Sequence, residues 1–418
     1  KRFELFPAVS LGWVPSNETF WAPIKKVISH LKVRGSYGLV GSDETGLASG
    51  AAHFLYKNQV NMNTGSYFNT GVAEGSTIYF QGPAVTQYAT ENACWERSKK
   101  FDIGLDLHLF NELFITLDYF NEQRYNILMA RSSWPSLLGY GSAVPWSNIG
   151  EVRNMGYELS LSWKRELISG MYIDLRANLT YTRNRYEYID EPDYPYPWLR
   201  KTGNPISAIY GYEAVGLFRD WEDIETSPSQ KNLGSEVMPG DIKYVDQNGD
   251  GMITSDDIVM LSPYGNIPGI QYGFGLNWTY KNFDFGIFFT GSANRTIMIS
   301  GIAPFCSDDG NQDRNLMKFI ADDYWSESNP DPRAAYPRLG VSKPQVANNL
   351  VASSYWIRNG NFIRFKTLEF GYSFKIARVY LSGDNIAVWS PFKLWDPELT
   401  FDAYPLQRTF NLGVQFKF

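Results

Sequence analysis

The sequence contains few of the residues on which catalysis and covalent cross-linking usually depend. Among 418 residues there are two cysteines, Cys94 and Cys306, and three histidines, His30, His53 and His108. The cysteines form no CxxC pair, the histidines lack metal-ligand spacing, and no GxSxG, HExxH or Walker motif occurs. These absences predict that the protein is not an enzyme. The two cysteines are either free or joined in one disulfide, and their spacing favours neither state.

Long apolar runs and clustered positive charge are also absent. No stretch of 18 apolar residues occurs, so the sequence predicts no transmembrane helix. The formal net charge is −6 and the basic residues are scattered, which argues against a nucleic-acid partner. The opening segment "KRFELFPAVSLGW" already alternates like a strand and lacks the pattern of a signal peptide. We therefore expect that residue 1 is not the natural start.

What is abundant is aromatic residues in strict alternation with small or polar ones. The chain has 27 Tyr, 27 Phe and 13 Trp. In "YGFGLNWTYK" (272–281) every second residue is aromatic or aliphatic, and the others are Gly, Asn, Thr or Lys. The next run, "FDFGIFFTG" (283–291), repeats the pattern after a single intervening residue. Such alternation predicts long antiparallel strands joined by tight turns.

The polar face decides the class of β protein. The exposed face of a soluble sandwich is rich in Lys and Glu, and its strands average about 5–6 residues. Here strands of about ten residues carry small polar residues opposite continuous apolar ones, which is typical of outer-membrane barrels. The chain is accordingly predicted to be all-β, one part of a large antiparallel transmembrane β-barrel that spans residues 1–418 and contacts the lipid bilayer.

The last segment, "TFNLGVQFKF", continues the alternation to the final residue. We predict that this strand is a C-terminal signal for the outer-membrane assembly machinery. Its apolar positions are Phe410, Leu412, Val414, Phe416 and Phe418.

Loop lengths predict orientation, since such barrels have short periplasmic turns and long extracellular loops. Short turns are expected near residues 110–113, 165–170, 281–283 and 374–377. Long extracellular connections are expected over about 40–92, 128–150, 184–270, 292–360 and 389–407. This pattern predicts about eleven strands, whereas bacterial single-chain barrels have an even number. Because open strand edges in lipid cost several kcal/mol per unpaired group, we expect the remaining strands upstream or on another chain.

Residues 246–257, "DQNGDGMITSDD", resemble a calcium-binding loop. The spacing predicts a structural calcium ion within a long extracellular loop at 185–270, and an Asx- and Gly-rich turn without metal is the alternative. The flanking sequences lack helical periodicity, so the loop resembles that of a dockerin more than an EF-hand sensor. The predicted oxygen ligands are Asp246, Asn248, Asp250, the Met252 carbonyl, Thr254 and Asp257.

Candidate contacts to a substrate or partner come from tryptophans in the predicted external loops. Each fits loop packing as well as stacking on a ligand. These are Trp134, Trp146, Trp198, Trp221, Trp325, Trp356, Trp389 and Trp395. Arg364 and Lys366 share the alternation of Leu368 and Phe370, so the pattern places both on the outward face near the rim.

Several segments together resemble the SusC/RagA family of TonB-dependent outer-membrane transporters of Bacteroidetes. They include "FPAVSLGW", "LKVRGSYGLVGSDETG", "NIGEVRNMGYELSL", "PGDIKYVDQNGDGMITSDD", "FIRFKTLEFGYSF" and "DPELT", in that order along the whole chain. The resemblance implies an outer-membrane barrel of about 22 strands, of which about eleven form the C-terminal half. It also implies a SusD-like surface lipoprotein and the TonB, ExbB and ExbD proteins as partners. The plug domain on which TonB acts in this family is absent from the 418 residues.

The predicted function is therefore active import of oligomeric nutrients, glycan or peptide, together with a SusD-like lipoprotein. Two alternative predictions belong to other classes of protein. A soluble calcium-dependent carbohydrate-binding or docking module would need a second calcium loop or shorter strands. A barrel enzyme would need a Ser/His arrangement at the rim, and neither pattern occurs.

Overall fold

Eleven strands of the chain form one antiparallel sheet in which sequence neighbours are also neighbours in space. The structure is a computed structural model that describes residues 3–44, 54–63, 67–73, 76–90, 92–134, 137, 143–299, 316–340, 343–401 and 403–416. In chain order the strands are β1 (Ala8–Trp13), β2 (Ile28–Ser42), β3 (Glu96–Leu109), β4 (Leu113–Ala130), β5 (Trp146–Ile168), β6 (Met171–Tyr188), β7 (Ile270–Tyr280), β8 (Phe283–Ala293), β9 (Phe362–Ser373), β10 (Ala377–Trp389) and β11 (Thr409–Phe416). The predicted fold class and strand number are confirmed.

The alternating pattern gives the sheet one apolar and one polar face. On the apolar face a row of directly paired residues crosses the sheet from Leu161 through Ala177, Phe274 and Phe289 to Phe365. The rings of Phe274 and Phe289 lie 5.1 Å apart, and those of Phe289 and Phe365 lie 4.7 Å apart. Many large apolar side chains of this face remain exposed, which is the arrangement required of a wall that contacts lipid.

The polar face carries paired charges. Arg34 on β2 lies 3.3 Å from Asp102, 3.5 Å from Asp106 and 2.5 Å from Asp118, so three carboxylates share one guanidinium. Gly104 lies beside this cluster, and a Cβ there would meet an Asp118 oxygen at 2.4 Å. The absence of a side chain at this position lets the ions approach one another.

The short turns lie at one end of the strands, which we call the short-turn edge, and the long connections lie at the other end. The four short turns occupy residues 110–112, 169–170, 281–282 and 374–376, as predicted. Phe110, Asn111, Gly170 and Lys281 have positive φ values of 56°, 59°, 78° and 54°, as tight hairpin turns between twisted strands require. After β1 the chain forms two single 3-10 turns, Pro15–Asn17 and Thr19–Trp21.

The five long connections follow β2, β4, β6, β8 and β10, and they contain small elements of their own. The helices are α1 (Trp221–Glu225), α2 (Lys318–Ala321) and α3 (Ala347–Leu350). The short strands are Gln59–Asn61, Tyr67–Ala73, Ser76–Gln81, Ala84–Gln87, Ile209–Tyr212, Ala214–Leu217, Ile242–Tyr244, Ile258–Ser262, Thr296–Met298 and Ile357–Asn359. Further 3-10 turns occupy Pro197–Leu199, Lys231–Leu233, Ser255–Asp257, Lys343–Gln345 and Ser354–Trp356. No helix in the described ranges is long and apolar enough to cross a membrane.

One orientation expected from the alternation is wrong. A β-bulge between Phe365 and Thr367 inserts Lys366 as an extra residue and reverses the faces on either side of it. Arg364 therefore pairs with Thr290 and lies on the polar face, although Leu368 faces the apolar side. Its side chain is only 4% exposed.

Candidate functional site: the packed long connections

The described parts of the connections 189–269, 294–361 and 390–408 pack into one unit, which we call the loop layer. Its centre contains Trp356, Ile320 and Ile242, each fully buried, with Tyr244 beside them. All three connections contribute side chains to this core, including Phe392 from the last one. These connections are therefore a folded body with its own hydrophobic core.

An ion pair is buried at the centre of the loop layer. Arg338 Nε lies 2.6 Å from Asp241 Oδ1, and Asp241 is fully buried. The same carboxylate accepts hydrogen bonds from Asn349 Nδ2 at 2.8 Å and from the Met238 amide at 2.9 Å. The ion pair and hydrogen bonds offset part of the cost of burying this carboxylate, but burial outweighs them and raises the pKa of Asp241.

A second buried network connects distant parts of the chain. Gln230 Nε2 donates to the Ile242 carbonyl at 2.9 Å and to Asn348 Oδ1 at 2.6 Å, and Gln230 Oε1 accepts from the Tyr244 amide at 2.7 Å. The Tyr244 hydroxyl donates to the Asn348 carbonyl at 2.7 Å. Burial raises the pKa of Tyr244 above its ordinary value, so the phenol stays protonated and remains a donor.

The predicted tryptophans fall into three groups. Trp356 and Trp325 lie in the core of the loop layer, where they pack. Of the next four, Trp146, Trp198 and Trp395 are partly buried and Trp134 is 37% exposed. Trp198 stacks on Tyr196 and donates to the Asp256 carbonyl at 2.8 Å, Trp395 packs on Phe392 and donates to the Leu399 carbonyl at 3.1 Å, Trp146 begins β5, and Trp134 lies over Arg131. Trp221 and Trp389 are 56% and 51% exposed, which leaves them the most accessible of the eight.

The predicted calcium loop forms a compact turn in the 189–269 connection. Gly249 and Gly251 have φ values of 76° and 82°, which glycine adopts without strain. Asp246 accepts from the amides of Gly249 at 2.7 Å and Gly251 at 2.8 Å, and Asp257 accepts from those of Gln247 and Thr254, both at 2.8 Å. In the described part of the chain no group of three or more His, Cys, Asp or Glu side chains is arranged to hold a metal ion. Calcium binding at Asp246, Asn248, Asp250, Met252, Thr254 and Asp257 therefore stays a prediction.

We expect Asp250→Ala to abolish a calcium-dependent ordering of this loop. In the wild-type protein, calcium at about 0.1–1 mM, the range of extracellular sites, should slow amide hydrogen exchange over residues 246–257. Asp256→Ala is the matched control, because Asp256 is not at a ligand position and contributes its carbonyl to Trp198. An amide exchange rate that calcium does not change in the wild type would contradict the prediction. Loss of the assembled barrel in Asp250→Ala would contradict it as well.

The C-terminal strand is formed over its described length, and its role as a signal for the assembly machinery stays a prediction. Phe410, Leu412, Val414 and Phe416 are 58%, 78%, 53% and 63% exposed on one face of β11, which pairs with β10. Phe418 and Cys306 lie outside the described residues. Cys94 carries a free thiol, and its backbone amide and carbonyl are both bound by Asn148.

Arg364 anchors the last connection to the sheet. Its Nη2 lies 2.6 and 2.7 Å from the two oxygens of Asp396, and its Nε lies 2.6 Å from Glu398 Oε2. The sequence offered a signal for this contact in the segment "DPELT", whose two carboxylates are Asp396 and Glu398. Alternation alone missed it because the bulge at Lys366 reverses the side on which Arg364 lies.

A pair of histidines was also missed. His30 on β2 and His108 on β3 are directly paired across the strands, and their rings lie 4.7 Å apart near the short-turn edge. They are 78 positions apart in sequence, so only the strand register brings them together.

Comparisons with known proteins find similarity to TonB-dependent receptors along the chain. The TonB dependent receptor-like, beta-barrel family matches residues 1–386. TonB-dependent receptor P3 of Formosa agariphila is 26% identical over 100% of this chain, and TonB-dependent receptor SusC of Bacteroides thetaiotaomicron is 26% identical over 100% of it. The chain spans 42% and 40% of the length of these two relatives. Among solved structures, the RagAB peptide transporter shares the fold, with a TM-score of 0.67 at 20% identity over 98% of this chain and 43% of that chain.

An exposed apolar wall, a polar opposite face and long connections at one edge are the features of an outer-membrane barrel, and the comparisons agree with them. The chain belongs to the TonB-dependent receptor-like β-barrel family, is similar to its member SusC, and is an integral protein of the bacterial outer membrane whose long connections are extracellular.

Proposed function

We propose that the whole protein to which this chain belongs imports oligomeric nutrients, glycan or peptide, across the outer membrane. The observation that carries the proposal is the loop layer, a folded body with its own buried core at the extracellular edge of a barrel wall. A folded layer at this place favours capture of a solute before it enters the lumen. The polar face of the sheet, with charges held in pairs, suits the passage of a hydrated solute.

The proposal includes partners on both sides of the membrane. A SusD-like surface lipoprotein would dock on the loop layer, where Trp221 is the most exposed of the candidate tryptophans. TonB, ExbB and ExbD would supply energy through the plug domain of the whole protein. Further strands would pair with the edge strands β1 and β11 to close the barrel, because unpaired edges in lipid are costly.

Deletion of the gene is expected to abolish growth on one class of oligomeric nutrient and to leave growth on the corresponding monomers unchanged. The physical reason is size, since oligomers need a dedicated route whereas monomers pass through general porins. Growth would be measured on a panel of glycans and peptides, and the native complex would be purified to identify an accompanying lipoprotein. A strain complemented with the full-length gene is the control. Unchanged growth on every oligomer would refute the import proposal. Purification of the barrel without any accompanying lipoprotein would refute the proposed partner.

A further inference from the structure

A polar groove of about 440 Å³ lies where the loop layer meets the polar face of the sheet. We call it the rim groove and define it by Asn178, Gln271, Ser292, Arg295, Lys366 and Glu398, which line it. Gly273 forms part of its floor, and a Cβ there would meet Asn178 Oδ1 at 2.7 Å and the Phe288 ring at 3.1 Å. The groove is therefore open at a position where most side chains would fill it.

Two hydrogen-bond donors in the rim groove lack a partner. Among the described residues, Ser292 Oγ and Arg295 Nε are both buried without a hydrogen bond. Ser292 is only 5% exposed. Buried donors of this kind normally have a partner, because an unsatisfied one loses its hydrogen bonds to water without replacement. Two such donors in one groove indicate a group that accepts hydrogen bonds from both.

The charges around the groove favour an anion. Arg364 engages both nearby carboxylates, Asp396 and Glu398, at 2.6 Å. Arg295 forms no ion pair with either of them in the described structure, and burial lowers the pKa of its guanidinium. Lys366, an exposed cation, also lines the groove. Arg295, Arg364 and Lys366 are thus three cations near only two carboxylates. Because Arg364 already pairs with both carboxylates, the positive charges of the other two cations remain available to an anion.

We propose that the rim groove binds the carboxylate group of a solute. Arg295 Nε and the Ser292 hydroxyl donate hydrogen bonds to its oxygens, and Lys366 adds a second positive charge. A carboxylate fits because guanidinium donors bind its two oxygens in a planar, charge-assisted arrangement. The inference rests on the proposed import function in that the solute is one that enters the lumen from the extracellular side. It adds that the solute carries a negatively charged group, which the fold alone does not specify.

The test is a titration of the full-length protein, purified in detergent from the outer membrane with its native partners. The probe is ¹³C-labelled acetate, whose binding is followed by NMR line broadening, and acetamide serves as the neutral analogue of the same shape. We expect saturable binding of acetate and none of acetamide. Arg295→Gln should weaken acetate binding about tenfold, the effect of losing one charge-assisted hydrogen bond, and Ser292→Ala should weaken it less. The affinity of Arg295→Lys for acetate should lie between those of the wild type and Arg295→Gln. The positive charge is retained, but the planar pair of guanidinium donors is lost.

Arg408→Gln is the matched control, since Arg408 is an exposed arginine that does not line the rim groove. Correct assembly of each variant is verified by its heat-modifiable migration on gels. Equal binding of acetate and acetamide, or affinity unchanged in Arg295→Gln, would overturn the proposal. Wild-type protein that does not bind acetate would likewise show that the assignment of a solute carboxylate to the groove is wrong. The titration requires neither TonB nor growth, so its failure is separate from failure of the import experiment.

Discussion

Replacing Asp241 by alanine is expected to destabilise the loop layer by about 3–5 kcal/mol and to leave the barrel strands unaffected. The mutation leaves the Arg338 guanidinium in a mostly buried position without its partner, which lies 2.6 Å away in the native protein. It also removes the acceptor of the Asn349 amide and the Met238 backbone amide. Amide hydrogen exchange resolves the two regions. Protection should fall over residues 209–244 and 316–361, whereas protection in β3 to β6 should stay at wild-type levels.

Two variants make this result specific. Glu236→Ala changes an exposed acidic residue of the same connection and should alter stability by less than about 0.5 kcal/mol. The double variant Asp241→Leu with Arg338→Met removes both charges together and should recover much of the lost stability, because no buried charge is left alone. Equal loss of protection in the barrel strands would show that the layer and the wall are one cooperative unit. That outcome would contradict the prediction.

Arg364→Leu is expected to release the connection 390–408 from the sheet, at a cost of about 3–5 kcal/mol. The guanidinium is 4% exposed and binds both oxygens of Asp396 and one of Glu398. Its removal leaves Asp396 and Glu398 without their ion-pair partner. Limited proteolysis with mass spectrometry should then show cleavage within 390–408 that is absent from the wild type.

The controls separate this anchor from general effects of losing an arginine. Arg408→Leu makes the same chemical change at an exposed position and should leave the proteolysis pattern unchanged. Arg364→Leu combined with Asp396→Asn and Glu398→Gln removes the repulsion between the carboxylates and should restore part of the protection. Heat-modifiable migration should be the same for all of these proteins. An Arg364→Leu protein that resists cleavage within 390–408 would rule out the anchoring role.

The barrel wall could be predicted from the sequence because its determinants are local. A strand that lies between lipid and water must alternate along its own length, as residues 272–281 and 283–291 do. The short turns at 281–282 and 374–376 follow directly from the ends of these patterns. The interpretation as a soluble calcium-dependent module is wrong, since the chain is an outer-membrane barrel protein.

The loop layer could not be predicted in the same way, since its stabilising contacts join residues far apart in sequence. Arg338 is 97 positions from Asp241, and Gln230 is 118 positions from Asn348. Neither pair forms a local pattern, and irregular connections have no period that would indicate which side chains face inward. The bulge at Lys366 had a similar effect on a smaller scale, because one inserted residue exchanges the two faces of a strand.

The shared core of the loop layer also sets an order on how the protein matures. Asp241 lies in the connection between β6 and β7, whereas Arg338 and Trp356 lie in the one between β8 and β9. Both connections must cross the outer membrane before these residues can meet, so each crosses without the partner that will later enclose it. Because Phe392 of the connection 390–408 belongs to the same core, folding of the extracellular body is completed only after all three connections have crossed the membrane.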